Sequence, residues 1–313
     1  LGLSSMARGE LAVGIRSAPH DPPDVVSYSL GGGSAHTRLT HVNDDVLENK
    51  RLGDVEEIWY TSTSDTDVQG WIVKPPDFDP NEEYPLILHI HGGPHGMYNV
   101  GFNYTYQNYA ANGYLVLYTN PRGSTGYGTD FGNAIDNGYP SVDYGDLMAG
   151  VDAVIDRGWV DEDRMYVTGC SGGGVLSSWV IGHTDRFAAA GVRCPVINWM
   201  SFAGTADITV WGYYRYEGFP WTNPEKYLEH PPLMYVEDVT TPTILMTGEL
   251  DLRTPMGQTE EYYQALKQVG VPTLMLRFHE EYHGTGSQPS NFMRTQLYLM
   301  KWFQQYSKGT PIT

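Results

Sequence analysis

The sequence predicts an α/β fold: a mostly parallel sheet of eight strands with helices on both faces, preceded by a short N-terminal β segment. The chain has 313 residues, of which 41% are hydrophobic, and that is enough for a sizeable core. Residues 86–91 form a near-continuous apolar run, which is typical of a strand covered on both faces. Strand-like and helix-like segments alternate along most of the chain, as they do around parallel sheets.

Residues 1–49 form the first predicted unit, a β segment. It contains two short β-like runs, residues 11–16 and 25–30. The prolines that separate them are Pro19, Pro22 and Pro23. We expect one hairpin-sized unit, which is too small to bury a core alone. Residues 11–49 should therefore pack against the rest of the chain or against a second copy, which leaves a homo-oligomer open.

Residues 50–313 form the second predicted unit. Its eight expected strands are residues 56–62, 68–74, 86–91, 114–118, 165–168, 190–194, 243–247 and 273–278. Helical periodicity predicts helices over residues 143–157 and 258–269, each followed by a glycine that is typical of a helix end. Phe292, Leu299, Phe303 and Tyr306 lie at helical spacing and predict a last helix.

Composition excludes several classes of partner. The chain carries 19 Lys and Arg against 37 Asp and Glu, a formal net charge of −18, and such a surface repels nucleic acid. No apolar run approaches the roughly 18 residues that span a bilayer, so we expect no membrane partner. Two cysteines make no disulfide framework and the N-terminus has no signal-peptide pattern, which together predict a reducing, cytoplasmic location.

Residues 165–173 carry the pattern from which chemistry is predicted. A strand runs directly into Gly169-Cys-Ser-Gly-Gly, and an apolar helix follows. This is the arrangement of the nucleophile elbow in the α/β-hydrolase fold, with Ser171 as nucleophile. Only glycine two residues before and two residues after the serine lets strand and helix approach so closely. Cys170 lies inside the turn, so we interpret it as a neighbour of the attacking group.

A serine nucleophile needs a base and an orienting carboxylate, which in this fold follow it in the order acid, then histidine. The strand over residues 243–247 is followed by Glu249 and Asp251, and the next strand by His279 and His283. We prefer Asp251 and His283 because each lies further into its loop.

The oxyanion hole needs two backbone donors. One is Gly172, directly after the nucleophile, and the other is Gly93 in the loop after residue 90, with Gly92 as the alternative. Three histidines near that loop could indicate a metal, but the zinc-hydrolase patterns are absent from the sequence. We therefore predict no metal and no cofactor.

Longer stretches also resemble a known family. They begin at His91 (HGGPH), Asn120 (NPRGSTGYG), Asp143 (DYGDL), Gly169 (GCSGGG), Arg193 (RCPVIN), Glu217 (EGFPW), Thr241 (TPTILMTGELD) and His283 (HG). In these stretches the sequence resembles the prolyl oligopeptidase family of serine peptidases, and within it the acylaminoacyl-peptidase branch. The resemblance implies the same three residues, Ser171, Asp251 and His283, as the catalytic triad.

The resemblance also implies an N-terminal β-propeller, which in this family caps the active site and admits only short peptides. The 313 residues leave no room for one, and residues 1–49 resemble the end of a propeller blade. The sequence therefore predicts either a fragment of a longer enzyme or a relative without a propeller.

We expect the chain to cleave short, N-acylated peptides and simple esters through an acyl-enzyme on Ser171. An aromatic segment, residues 202–221, is predicted to line the substrate pocket, or else to pack between helices. The predicted binding residues are Phe202, Trp211, Tyr213 and Tyr214. Two other interpretations stay open: a carboxylesterase that cleaves no peptides, and a non-catalytic interaction domain on the same fold.

Overall fold

The structure is a computed structural model and describes residues 3–5, 10–31 and 35–308. A small antiparallel sheet comes first along the chain. Its strands, in spatial order, are β1 (Leu3–Ser5), β2 (Leu11–Ala18), β3 (Asp21–Ser29) and β4 (His36–Arg38). The first predicted unit begins at residue 1 and the second ends at residue 313, and both of these residues lie outside the described part of the chain.

The prediction of a single hairpin in this segment was wrong. Pro22 and Pro23 lie inside β3 rather than breaking it. They fall between the pairs Ala18–Asp21 and Arg16–Asp24, where the register shifts and the ladder is interrupted. A proline costs no ladder hydrogen bond at such an irregularity, so the strand continues through it.

The large sheet has eight strands, and it confirms the predicted fold class. They are β5 (Val55–Ser62), β6 (Thr66–Val73), β7 (Tyr84–Ile90), β8 (Leu115–Asn120), β9 (Val160–Cys170), β10 (Ala189–Arg193), β11 (Thr243–Gly248) and β12 (Thr273–Phe278). Their spatial order is β12-β11-β10-β9-β7-β8-β6-β5. The strands from β7 to β12 pair in parallel, whereas β5 and β6 pair antiparallel at one edge.

Helices cover both faces of the large sheet. The α-helices are α1 (Asp44–Leu47), α2 (Tyr104–Ala111), α3 (Thr129–Asn133), α4 (Val142–Ile155), α5 (Gly172–Ile181), α6 (Trp199–Thr205), α7 (Trp211–Arg215), α8 (Pro224–Glu229), α9 (Met256–Gln268) and α10 (Pro289–Gln305). Side chains of α4, α5 and α9 enter one core cluster, and those of α2 and α10 enter the other. In open α/β sheets, ligands bind at the carboxyl ends of the strands, so we expect the active site at that edge of the large sheet.

Candidate active site

Ser171 stands on a strained turn between β9 and α5. Its backbone has φ 62° and ψ −123°, a conformation that a residue with a side chain seldom adopts. A Cβ added to Gly169 would lie 2.5 Å from the carbonyl oxygen of Gly173, and one added to Gly173 would lie 2.2 Å from that of Ile90. Helix α5 therefore lies so close to β9 and to β7 that only glycine fits at both positions.

Asp251 and His283 lie in the loops after β11 and β12 and contact each other. His283 Nδ1 is 2.9 Å from Asp251 Oδ2 and 3.2 Å from Oδ1. The Asp251 side chain is fully buried, and its Oδ1 accepts hydrogen bonds from the backbone nitrogens of Arg253 and Thr254, at 2.9 and 2.8 Å. Thr254 Oγ1 donates to Oδ2 at 2.9 Å. The carboxylate is held in one orientation, facing the imidazole.

The electrostatics of this pair favour a basic imidazole. The hydrogen bond to Asp251 raises the pKa of His283 more than partial burial lowers it. The alternative acid and base form a second, separate pair, since His279 Nδ1 lies 2.9 Å from Glu249 Oε2. The His279 side chain is 82% exposed, so this second pair lies at the surface.

The loop after β7 places Gly93 beside Gly172. A Cβ added to Gly172 would lie 2.8 Å from the backbone nitrogen of Gly93, so these two candidate oxyanion donors are in close contact. Gly92, the alternative donor, also lies near the nucleophile: its added Cβ would stand 3.3 Å from the Ser171 Cβ. Helix α5 begins at Gly172, and the N-terminus of a helix favours negative charge.

The histidines near this loop have separate partners. His89 Nδ1 lies 2.8 Å from the Tyr98 hydroxyl, His91 Nε2 lies 2.9 Å from Ser124 Oγ, and His95 Nδ1 lies 2.8 Å from the Gly123 carbonyl oxygen. In the part of the chain that the structure describes, no group of three or more His, Cys, Asp or Glu side chains could hold a metal ion.

A cavity of about 230 Å³ opens beside the elbow, and Ser171, Gly172 and Gly93 line it. The apolar part of its wall consists of Val175, Val196, Trp199, Phe202, Ile208 and Trp211. Two predicted pocket residues, Phe202 and Trp211, therefore lie in the wall. The other two do not: Tyr213 and Tyr214 are 44% and 79% exposed and lie outside this lining.

Sequence reasoning missed three polar residues of the cavity: Tyr139, Arg253 and Thr254. Arg253 and Thr254 lie two and three residues after Asp251 in the sequence, and that proximity was the available signal. Tyr139 is distant in sequence, and its hydroxyl donates to the Gly172 carbonyl oxygen at 3.2 Å. Nothing in the sequence around Tyr139 indicates this contact.

Across the described ranges, no helix has the length and apolar character needed to cross a membrane.

Comparison with known proteins places this site in a family. The chain is 38% identical over 286 residues to an uncharacterized peptidase, YuxL, of Bacillus subtilis, covering 89% of this chain and 43% of that protein. It is 28% identical over 283 residues to dipeptidyl-peptidase 5 of Schizosaccharomyces pombe, covering 88% of this chain and 41% of that protein. The structure of a Pyrococcus horikoshii acylaminoacyl peptidase superposes with a TM-score of 0.91 at 25% identity, covering 100% of this chain and 50% of that one.

The chain thus spans less than half the length of these two curated relatives. The family model that matches residues 100–310 is that of the prolyl oligopeptidase family, Peptidase S9. This match includes the elbow and the Asp251–His283 pair. The chain belongs to the prolyl oligopeptidase family.

Proposed function

We propose that this chain is a serine hydrolase that cleaves short, N-acylated peptides and simple esters through an acyl-enzyme on Ser171. The observation that carries the proposal is the contact of His283 with the buried Asp251, 2.9 Å between Nδ1 and Oδ2, beside a cavity that Ser171 lines. We further propose that the catalytic unit begins near residue 50, and that the chain acts in a reducing compartment, since both of its cysteines are free.

The proposed reaction begins with attack of Ser171 Oγ on the substrate carbonyl. His283 takes the serine proton through Nε2, while Nδ1 stays bound to Asp251, and later gives the proton to the leaving group. Asp251 holds the imidazole in that tautomer and stabilises its positive charge. The backbone N–H groups of Gly93 and Gly172 bind the oxyanion. Water then attacks the carbonyl carbon of the acyl-enzyme while His283 takes a proton from it, and His283 returns that proton to Ser171 Oγ as the ester bond to the serine breaks and the acid leaves.

The cavity favours a neutral acyl group over a free amine. Its lining, which falls entirely within the described residues, contains no Asp or Glu, and its one charged side chain is the cation Arg253. A protonated amino terminus needs an anionic partner, and this lining offers none, because Arg253 is itself paired with Asp207 at 2.6 Å between Nε and Oδ1. This argument favours the activity named for the Pyrococcus relative over that named for the dipeptidyl peptidase.

The test is a substrate panel on the purified chain: aryl esters of short acids, acetyl-aminoacyl anilides and the matched free-amine anilides. We expect turnover of the esters and of the acetylated anilides, with esters faster because an amide is the harder bond to break. Free-amine anilides should be the poorest substrates. Ester turnover with no anilide turnover would make the chain a carboxylesterase. No turnover of any substrate would favour a non-catalytic domain.

Replacing the nucleophile tests the assignment within the same assay. Ser171→Ala should abolish ester turnover and leave the fold intact, because it removes one hydroxyl that forms no hydrogen bond to another described residue. An organophosphonate should label the wild-type chain on Ser171 alone, which peptide mass spectrometry reads directly. If Ser171→Ala keeps more than a few per cent of the wild-type turnover, another group is the nucleophile.

A further inference from the structure

Arg215, the last residue of α7, joins this helix to two loops that lead to the candidate oxyanion hole. Its side chain is 8% exposed, and its two terminal nitrogens have different partners. Nη1 donates to the carboxylate of Asp136, and Nη2 lies 2.6 Å from Nε2 of His95. The guanidinium also lies 5.4 Å from the centre of the Trp211 ring, which lines the cavity beside Ser171. The planar fork of an arginine can hold two partners in a fixed geometry.

His95 connects Arg215 to the turn that contains Gly93. The two residues belong to one tight turn, since a Cβ added to Gly93 would lie 2.5 Å from the backbone nitrogen of His95. His95 Nδ1 lies 2.8 Å from the Gly123 carbonyl oxygen, which can only accept, so Nδ1 donates. A guanidinium can only donate, so His95 Nε2 accepts from Arg215. One imidazole therefore ties the turn both to the loop after β8 and to α7.

The second candidate donor is held from the same end of α7. Tyr216, the residue after this helix, is fully buried, and its hydroxyl donates to the Tyr139 carbonyl oxygen at 2.9 Å. The Tyr139 hydroxyl in turn donates to the carbonyl oxygen of Gly172 at 3.2 Å. Asp136, which the Arg215 guanidinium contacts, lies three residues before Tyr139. Both candidate oxyanion donors are therefore connected by side chains to the end of α7.

We propose that Arg215 is a positioning residue for the oxyanion hole, because through His95 it fixes the backbone N–H of Gly93 relative to that of Gly172. This inference rests on the proposed function. Pro94 is buried, whereas Gly93 and His95 are exposed, so the polar contacts of His95 add a restraint that packing of the turn does not provide. A donor must be in place before the oxyanion forms, since a displacement of about 1 Å can cost on the order of 100-fold in rate.

This role has a kinetic signature that a general structural role lacks. The oxyanion exists in the transition state and not in the bound substrate, so a displaced donor lowers kcat and leaves KM nearly unchanged. Damage to the substrate pocket would raise KM instead. Partial unfolding would lower the number of active molecules without changing the kcat of those that remain.

The experiment compares the full chain with its Arg215→Gln variant in hydrolysis of an aryl ester of a short acid. Endpoint titration with an organophosphonate counts the reactive serines, so that kcat refers to active molecules. We expect kcat to fall about 10- to 100-fold while KM changes by less than about twofold. A trifluoromethyl ketone, whose adduct with Ser171 carries an oxyanion, should bind more weakly by the same factor as kcat. The matched trifluoromethyl carbinol, which forms no adduct, should bind both proteins equally.

Two further variants keep the test decisive. Arg215→Lys keeps the buried charge if Arg215→Gln does not fold, and it should also lower kcat because an ammonium lacks the fork that reaches both partners. His95→Ala changes an exposed residue and should lower kcat at least as much, since it also removes the contact to Gly123. In the double variant the change at Arg215 should add little to the loss, because the link is already broken.

Arg186→Gln is the matched control. Arg186 also donates to a half-exposed carboxylate, at 2.6 Å from Nη2 to Asp152 Oδ1, and neither residue lines the cavity, so kcat should not change. An equal loss in this control would overturn the proposal. So would an unchanged kcat or ketone affinity at Arg215, a loss confined to KM, or additive losses in the double variant, and each of these leaves the proposed function standing. Absence of turnover in the unmodified chain would overturn the proposed function, and this inference with it.

Discussion

Two carboxylate–imidazole pairs follow β11 and β12, and their surroundings distinguish them. Asp251 is buried and accepts three hydrogen bonds besides that of His283. Glu249 and His279 contact each other at the surface, where solvent screens the pair and leaves its geometry free. A general base must stay in one orientation through the reaction, so only His283, which the buried Asp251 holds, suits the role.

Replacing each acid separately tests this assignment. Asp251→Asn should lower kcat by on the order of 10⁴-fold, because an amide at this position no longer holds the imidazole in the tautomer that accepts the serine proton. Glu249→Gln, the matched control, should leave kcat unchanged, because its partner His279 is exposed. Steady-state ester hydrolysis measures both. The opposite pattern would identify Glu249 as the acid.

The pH profile follows from the same pair. Asp251 raises the pKa of His283, and only the neutral imidazole can accept the proton. Ester kcat/KM should therefore rise with pH through a single ionisation whose midpoint lies above the 6.5 of a free histidine. In Asp251→Asn the residual activity should show a lower midpoint, since the carboxylate that favours the charged imidazole is gone. A midpoint unchanged by this substitution would mean that His283 is not the titrating base.

At the scale of elements, the sequence predicts the eight large-sheet strands because β5 and β6 mix apolar and polar residues at strand-like spacing and the others contain a short, mostly apolar run. β9 begins at Val160, five residues before the predicted start, since residues 161–164 are polar. The sequence predicts the contact between Asp251 and His283 because these two residues follow the ends of neighbouring strands, β11 and β12. That Ser171 acts together with them stays a prediction.

The short helices α6 to α8 were missed, since five to seven residues show no clear period. In α7, Trp211 and Arg215 are four residues apart and face inward together, with the guanidinium 5.4 Å from the indole. Tyr213 and Tyr214 consequently face out.

A buried ion pair joins α4, the loop after β8 and the end of β5. Asp146 of α4 is fully buried, and Arg122, in the loop after β8, donates to it from Nε at 2.9 Å and from Nη2 at 2.6 Å. Ser62, at the end of β5, donates to the same carboxylate at 2.5 Å. Asp146→Asn would leave the Arg122 cation buried and unpaired. We expect it to lower the free energy of unfolding by about 3–5 kcal/mol, measured by urea denaturation.

The exposed pair Arg51–Asp77 offers the matched control for this prediction. Both side chains are more than 70% exposed, so Asp77→Asn should change the free energy of unfolding by less than about 1 kcal/mol. If Asp146→Asn lowers the free energy of unfolding as little as Asp77→Asn does, the buried Arg122–Asp146 pair contributes little to stability.

At the scale of the whole molecule, the small sheet is attached to the large domain through a few polar contacts. Ser17 Oγ accepts from the Phe102 backbone nitrogen at 2.9 Å, and His20 Nε2 lies 3.1 Å from the Gly53 carbonyl oxygen. In the described chain neither core cluster contains a residue before Val55. Large apolar side chains of the small sheet are also exposed, among them Leu11 and Ile15, as is Leu30 directly after β3. It therefore adds surface that can associate rather than core that stabilises the large domain.

Removing residues 1–49 should accordingly change association more than catalysis. The large core stays intact, so ester turnover per folded molecule should match that of the full chain. Loss of the exposed apolar residues, together with loss of the Ser17 contact to the Phe102 backbone, should change the elution position in sizing chromatography. Ser17→Ala is the matched control, since it removes one contact and keeps the sheet. If the truncated chain elutes as expected for an unchanged assembly but has lost its ester turnover, the small sheet helps to position the loop between Gly93 and Phe102, and the segment belongs to the active site.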